Sequence, residues 1–196
     1  MKMRNLIKAK IILLTLLLMG VIIVSCDKDD DAEPKGEKVT VSGDITQNTT
    51  WAAEDTIVLD GFVYVNNGVT LTIEPGTVIR GLSDTKACLI VERGGKIIAD
   101  GTQSNPIVFT SDKPVGERKP GDWAGIIICG KAPINQTGGE AEIEGGTGAV
   151  YGGTDATDNS GILRYVRIEF AGFEVTSGNE INGLTMGGVG SGTTIE

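Results

Sequence analysis

The sequence predicts an all-β fold, a parallel β-helix whose coils each contain about 20 residues. Glycine is abundant, at 29 of 196 residues, whereas aromatic residues make up only 5%. Glycine and asparagine punctuate short runs of valine, isoleucine and threonine. No segment after Cys26 shows the sustained periodicity of an amphipathic helix, so strands and tight turns must account for the fold.

The clearest strand lies in the sequence GVTLTIEPGTVIRG, at Gly68–Gly81. Every second residue of VTLTI is apolar, which is typical of a strand with one buried face. Pro75-Gly76 then predicts a turn, and a short strand follows at Thr77–Ile79. The segment therefore predicts two strands joined by a tight turn.

The same plan repeats along the chain. Further strands are predicted at Leu89–Glu92, Lys96–Ala99, Ile107–Thr110, Gly125–Cys129 and Leu163–Phe170, with another at Leu184. The first core residues of the repeat, Val69, Leu89, Ile107, Ile126, Leu163 and Leu184, recur roughly every 20 positions. One gap has nearly double that length, and Ala141–Gly146 would fill part of it. This spacing predicts a solenoid of stacked parallel coils. An antiparallel sandwich also has short strands, but it predicts no regular coil length.

The first 25 residues have the pattern of a secretory signal peptide. Four basic residues precede an apolar run at Ile11–Val24. This run is shorter than the ~20 residues of a spanning helix and lacks the polar face of a globular helix. The residues IVSC at its end resemble a bacterial lipobox. Cys26 is therefore predicted to be the lipidated first residue of the mature protein, which attaches it to a membrane.

An acidic run follows Cys26 and resembles the export signal of Bacteroidetes-type surface lipoproteins. The residues of this predicted signal are Asp27, Lys28, Asp29, Asp30 and Asp31. They also fit a plain solvated tether, because like charges repel one another. The sequence thus predicts a signal peptide at 1–25, a lipidated cysteine and disordered acidic tether at 26–38, and the β-helix at 39–196. The predicted location is the outer membrane, at the cell surface.

Charge and composition restrict the function. The formal charge is −9, and loss of the signal peptide, with its four basic residues and no acid, leaves −13. This balance argues against nucleic acid and anionic lipid surfaces as partners, since both require a basic face. Histidine is absent, which excludes histidine-based triads and histidine metal sites.

Two cysteines remain after the predicted anchor. Cys88 and Cys129 lie in the apolar, strand-like runs ACLIV and IIICG. In an oxidising exterior they could pair, but the sequence does not place them near each other. Buried free thiols are the preferred interpretation.

Several motifs together resemble a known family. The segments GVTLTIEPGTVIRG, LIVERGGKIIADGT, NPIVFTSD and GDWAGIIICGKAPIN are similar to Bacteroidetes surface lipoproteins with a right-handed parallel β-helix of the pectin-lyase-like type. The similarity covers nearly all of Trp51–Glu196. It implies a β-helix without a defined enzymatic activity. Such proteins continue beyond the equivalent of GSGTTIE, so the resemblance also implies a chain truncated at its C-terminus.

An enzymatic hypothesis starts from the acidic glycans that many pectin-lyase-like proteins cleave. Such a site needs clustered carboxylates, often with Ca²⁺, and a basic residue near the scissile bond. Asp155, Asp158 and Asn159 offer oxygen ligands for Ca²⁺ as the one implied cofactor. The following strand offers Arg164, Arg167 and Glu169 as ligand contacts. The alternative is a solvated acidic loop beside surface ion pairs.

A binding hypothesis requires no catalytic groups and is preferred. Trp123, in the loop Gly116–Gly125, would stack on a sugar ring or, alternatively, pack over the helix and seal a coil end. The glycine-rich insertion Lys131–Gly161 is the predicted functional loop, because solenoids bind through such excursions. The expected partners are a glycan or an envelope or host protein, and the expected state is a monomer.

Overall fold

The computed structural model describes residues 36–196, and within this range it contains strands and turns but no helix. Its strands are β1 (Lys38–Ile45), β2 (Thr49–Trp51), β3 (Thr56–Val65), β4 (Thr70–Ile73), β5 (Val78–Gly81), β6 (Cys88–Val91), β7 (Lys96–Asp100), β8 (Ile107–Ser111), β9 (Gly125–Cys129), β10 (Glu140–Glu142), β11 (Val150–Gly152), β12 (Gly161–Arg164), β13 (Val166–Ile168), β14 (Phe173–Thr176), β15 (Asn179–Ile181), β16 (Leu184–Gly187) and β17 (Thr194–Ile195). Nothing in this part of the chain has the helical length and apolarity needed to cross a bilayer.

The main strands form three parallel faces around one core. The first face contains β5, β8 and β13, the second β6, β9 and β16, and the third β2, β4, β7, β12 and β17. The long strands β1 and β3 run across both the first and the second face. They bend at Gly43 and Gly61, whose φ angles of 68° and 66° favour glycine. The predicted all-β parallel β-helix is therefore confirmed.

The coils lengthen along the chain. Successive partners on the first face are Lys38, Thr56, Val78, Val108 and Arg167. The first coils agree with the predicted length of about 20 residues, and later coils gain long loops at 112–124, 130–160 and 169–182. Insertions thus enlarge the corners while the strands keep their stacking.

The core is formed by apolar side chains from all three faces. On the second face Val63, Leu89 and Ile126 stack in register, and each is fully buried. Leu71 and Ile97 do the same on the third face. Burying one such side chain stabilises a fold by roughly 1.5–3 kcal/mol. These inward rows supply the main stabilisation of the solenoid.

The second face is covered on its outer side as well. Cys88, Ile90 and Ile127 point away from the main core into a second apolar cluster. Two antiparallel hairpins, β10–β11 and β14–β15, lie over this cluster. They contribute Ile143, Tyr151, Phe173 and Ile181. Strands buried on both sides read as continuous apolar runs, which explains the sequences CLIV and GIIIC.

Three sequence-based expectations about elements were wrong. The single strand predicted at Leu163–Phe170 is split into β12 and β13, because Tyr165 takes a left-handed φ of 48° and turns a corner. Ala141–Gly146 belongs to the β10–β11 hairpin and not to a coil. The predicted core register also combined residues that lie on different faces of the β-helix. Ile107 lies on the first face and Leu163 on the third, so neither stacks on Leu89.

Both cysteines after the predicted anchor are free and buried. Burial raises the pKa of the Cys88 thiol well above its ordinary value, and the neighbouring Cys129 raises it further. Burial likewise raises the pKa of Cys129 to about 12. The preferred interpretation of buried free thiols is confirmed.

Candidate functional site

A cleft with a volume of about 610 Å³ lies at the corner between the second and third faces. One wall is formed by the insertion between β9 and β12, which contains the β10–β11 hairpin. The cleft therefore lies along the insertion that the sequence indicates as the functional loop. Its lining residues are Asn67, Glu92, Arg93, Lys131, Gly148, Val150, Gly152, Gly153, Thr154 and Asp155.

The floor of the cleft consists of corner residues from three successive coils. Asn67 follows β3, Gly94 follows β6 and Lys131 follows β9. A Cβ atom at Gly94 would lie 2.2 Å from Asn67 Oδ1 and 2.7 Å from Lys131 Nζ. Gly94 also has a φ of 90°, which favours glycine. Because Gly94 has no side chain, the Asn67 amide and the Lys131 ammonium can approach each other across the floor of the cleft.

Arg93 fixes the wall to the floor. Its guanidinium donates to the Glu140 carboxylate on β10 and, at 3.0 Å, to the Gly152 carbonyl oxygen on β11. Backbone bonds complete the attachment, since Gly152 N–H donates to Gly130 and Asp155 N–H donates to Lys131, each at 2.9 Å. The cleft is thus held open before any ligand binds, which lowers the entropy lost on binding.

The cleft contains both basic and acidic side chains. Lys131 is exposed, and its ammonium forms no ion pair with any residue in 36–196. Glu92 and Asp155 bring carboxylates to the same lining. Such a surface can donate charge-assisted hydrogen bonds to ligand oxygens and accept them from ligand hydroxyls. It suits a polar ligand rich in hydroxyl groups.

The three residues that the sequence predicts as calcium ligands each accept hydrogen bonds from a different group. Asp155 Oδ1 accepts from the amide and hydroxyl of Thr157, at 3.0 and 2.8 Å. Asp158 is buried, and its Oδ2 accepts from Ser160 Oγ at 3.0 Å. Asn159 Oδ1 accepts from the Gly161 amide at 2.9 Å. No group of three or more Asp, Glu, Cys or His side chains within residues 36–196 could hold a metal ion.

The charged residues of the next strands are divided between two faces. Arg164, on the third face, pairs with Asp100 and Glu196, each at 2.7 Å. Arg167, on the first face, pairs with Glu169 at 2.6 Å. The turn at Tyr165 separates the two arginines, so the structure does not bring them together as one ligand-contacting group.

Trp123 lies in the core and offers no surface to a sugar. Its indole is fully buried, stacks on Phe109 with ring centroids 6.3 Å apart, and donates from Nε1 to the Glu169 carbonyl oxygen at 2.8 Å. The stacking interpretation from the sequence therefore does not fit this structure, because no part of the ring reaches solvent.

Sequence reasoning did not single out Asn67, Glu92 or Arg93 as site residues, and it named Lys131 only as the first residue of the predicted functional loop. Arg93 and Lys131 come after predicted strands and Asn67 precedes one, so the corner positions of all three were visible in the sequence. Their convergence was not, because it depends on which corners stack. The predicted lipid anchor Cys26 and the export residues Asp27–Asp31 lie outside the described residues.

One comparison with known proteins gave a match. The family model for a pectate-lyase-like β-helix domain matches residues 43–196. No significant match was found among curated proteins or solved structures. The matched range contains every residue of the cleft.

Proposed function

Because the chain belongs to the family of pectate-lyase-like β-helix domains, we propose that it is a lipid-anchored binding protein that displays this β-helix at the cell surface. The lipobox-like sequence before Cys26 supports the anchor, and the acidic run after it supports export to the outer face of the outer membrane. The proposed ligand is a glycan, held in the cleft between the β10–β11 insertion and the coil corners.

The cleft is the observation that carries this proposal. Its volume of about 610 Å³ lies in the range of small-ligand sites, roughly 300–1,000 Å³. Its floor follows three coils along the solenoid axis, which suits an extended oligomer. A protein partner would need a face burying on the order of 1,200 Å² or more in total, and the ten residues that line this cleft do not offer one. A short glycan segment fits better.

Lys131 provides the sharpest test. Replacing Lys131 with alanine should weaken glycan binding about tenfold, because one charge-assisted hydrogen bond is lost. Lys38→Ala is the matched control, since Lys38 is an exposed lysine on the first face. Binding of the full chain, in mild detergent, to a panel of neutral and acidic polysaccharides would be measured by calorimetry. No binding to any polysaccharide, or equal effects of the two substitutions, would refute the proposal.

A second candidate function is cleavage of an acidic glycan by a lyase or hydrolase. One observation favours it: the carboxylates of Glu92 and Asp155 share the cleft with Lys131, and such chemistry needs acidic and basic groups together. Shortened products that disappear on Asp155→Asn or Glu92→Gln would support this function. Intact polysaccharide that still binds would favour the binding protein.

A further inference from the structure

Tyr165 is the only exposed aromatic side chain in residues 36–196, with 49% of its surface accessible. It occupies the corner between the third and first faces, directly after β12. Both backbone groups are fixed there, because its N–H donates to the Glu196 carbonyl at 3.2 Å and its carbonyl accepts from Ile107 N–H at 3.0 Å. The ring is therefore presented on a rigid corner.

The backbone of Tyr165 is strained. Its φ of 48° lies in the left-handed region, which glycine and asparagine adopt at lower cost than a bulky residue. A corner that served only to turn the chain would be more stable with asparagine at this position. Residues held in strained backbone conformations cluster at functional sites. The tyrosine ring at this corner is thus a candidate for a binding role.

The surface beside Tyr165 has polar and apolar components. Arg164 donates to Asp100 at 2.7 Å on the outer side of the third face, and both groups keep further hydrogen-bonding capacity. Ile98 and Ile162 lie in register on the same outer side and are partly exposed. Unlike the second face, this side is not covered by either hairpin.

We propose that this surface is a second glycan-binding site, in which one sugar ring stacks on Tyr165. The C–H face of a pyranose is apolar and packs on an aromatic ring, while its hydroxyls would bond to Asp100 and Arg164. The apolar surface here consists of the Tyr165 ring, the partly exposed Ile98 and Ile162, and Ile195, which is 46% exposed on β17. A patch of this size is too small to provide the buried apolar centre of a protein interface. The site is separate from the cleft, which lies at another corner, so the two proposals stand independently.

Tyr165→Asn separates a binding role from a structural one. Asparagine tolerates the left-handed backbone, so the melting temperature should rise by about 2–4 °C. Binding should nevertheless fall about tenfold. Tyr165→Phe keeps the ring and should bind within about threefold of the natural protein. The probes are hexasaccharides of glucan, xylan, mannan and galacturonan, titrated into the full chain in mild detergent.

Three results would overturn the second site. One is unchanged binding by Tyr165→Asn. Another is an equal loss on Tyr165→Phe, which would exclude stacking by the ring. The third is the absence of binding by any of the four probes. Lys131→Ala separates the two sites in the same titrations. A loss with Lys131→Ala alone supports only the cleft, and a loss with Tyr165→Asn alone supports only the new site.

Discussion

At the scale of single residues, Trp123 is buried because Gly81 has no side chain. A Cβ atom at Gly81 would lie 2.7–2.8 Å from three carbon atoms of Trp123. Gly81 lies next to Ser111 in the sheet, and Trp123 follows the loop after Ser111. The sequence GDWAG is compatible with an exposed or a buried indole. Only the long-range contact with Gly81 decides between them.

Asp122, beside this tryptophan, is a buried carboxylate with a complete set of donors. Lys113 Nζ donates to Oδ1 at 2.6 Å, and Ser111 Oγ and the Lys119 amide donate to Oδ2 at 2.8 and 3.0 Å. Burial alone would raise the pKa of Asp122. The hydrogen bonds from Lys113, Lys119 and Ser111 outweigh burial and lower this pKa to about 2.

Asp122→Asn should therefore destabilise the fold by about 2 kcal/mol near pH 7. The folded pKa of about 2 lies below the ordinary value of 3.8, so this stabilisation is fully present above about pH 4. It is lost as the pH falls through about 2. Urea unfolding of both proteins between about pH 7 and pH 2 checks this expectation.

Glu117→Gln is the control for that measurement, because Glu117 is exposed on the same loop. It should change the free energy of unfolding by less than about 0.5 kcal/mol. A difference between Asp122→Asn and the natural protein that stays constant across the pH range would contradict the ionic origin of the stabilisation.

At the scale of elements, alternation and glycine made the strands β4 to β9 predictable, whereas β1, β2 and β3 were not predicted. The strand at Gly125–Cys129 agrees with β9 at both ends, because an apolar run lies between clear breakers. The corner at Tyr165 was not predictable, since tyrosine is not a turn residue. The hairpins were not predicted either, although a continuous apolar run such as Cys88–Val91 is typical of a strand covered on both sides.

The β14–β15 hairpin closes the second apolar cluster over Cys88. Phe173 packs against this cluster, and its ring carries the Lys86 ammonium 4.7 Å above the centroid. Asn179 ties the hairpin to the other insertion, because its Oδ1 accepts from the Gly145 amide at 2.7 Å. The hairpin therefore covers part of the apolar cluster that contains the buried thiols.

Phe173→Ala should speed up labelling of Cys88 by a thiol reagent about tenfold, since it removes part of the cover and favours local opening. Peptide mass spectrometry would follow each cysteine separately. Val115→Ala is the control, because Val115 is 65% exposed and belongs to neither apolar cluster, so this substitution should leave the rate unchanged. Equal rates for Phe173→Ala and the natural protein would show that the hairpin does not shield the cluster.

At the scale of the whole molecule, the sequence was sufficient to predict the fold but not the candidate site. Stacked parallel coils follow from strand spacing, which is a local property. The cleft depends on Asn67, Gly94 and Lys131 meeting at one corner, and loops of unequal length separate these residues in the chain. Insertions do not disturb the stacking, yet they decide which corner residues meet.

Lipidation at Cys26 is the prediction that concerns the whole protein. Cys26→Ala should abolish membrane association, because the predicted acyl groups on this cysteine would hold the protein in the membrane. Deleting Asp27–Asp31 should leave the protein membrane-bound but inaccessible to protease added to intact cells. Cell fractionation and protease treatment measure both. Unchanged membrane association of Cys26→Ala would disprove the anchor, and continued protease access would disprove the export signal.

The most direct test of the central claim combines binding and product analysis. The full chain would be incubated with neutral and acidic polysaccharides, with and without Ca²⁺, and the length of each polysaccharide would be measured after its binding. We expect a bound polysaccharide of unchanged length, with binding weakened by Lys131→Ala. Shortened chains would instead identify an enzyme and contradict the account of a displayed binding protein.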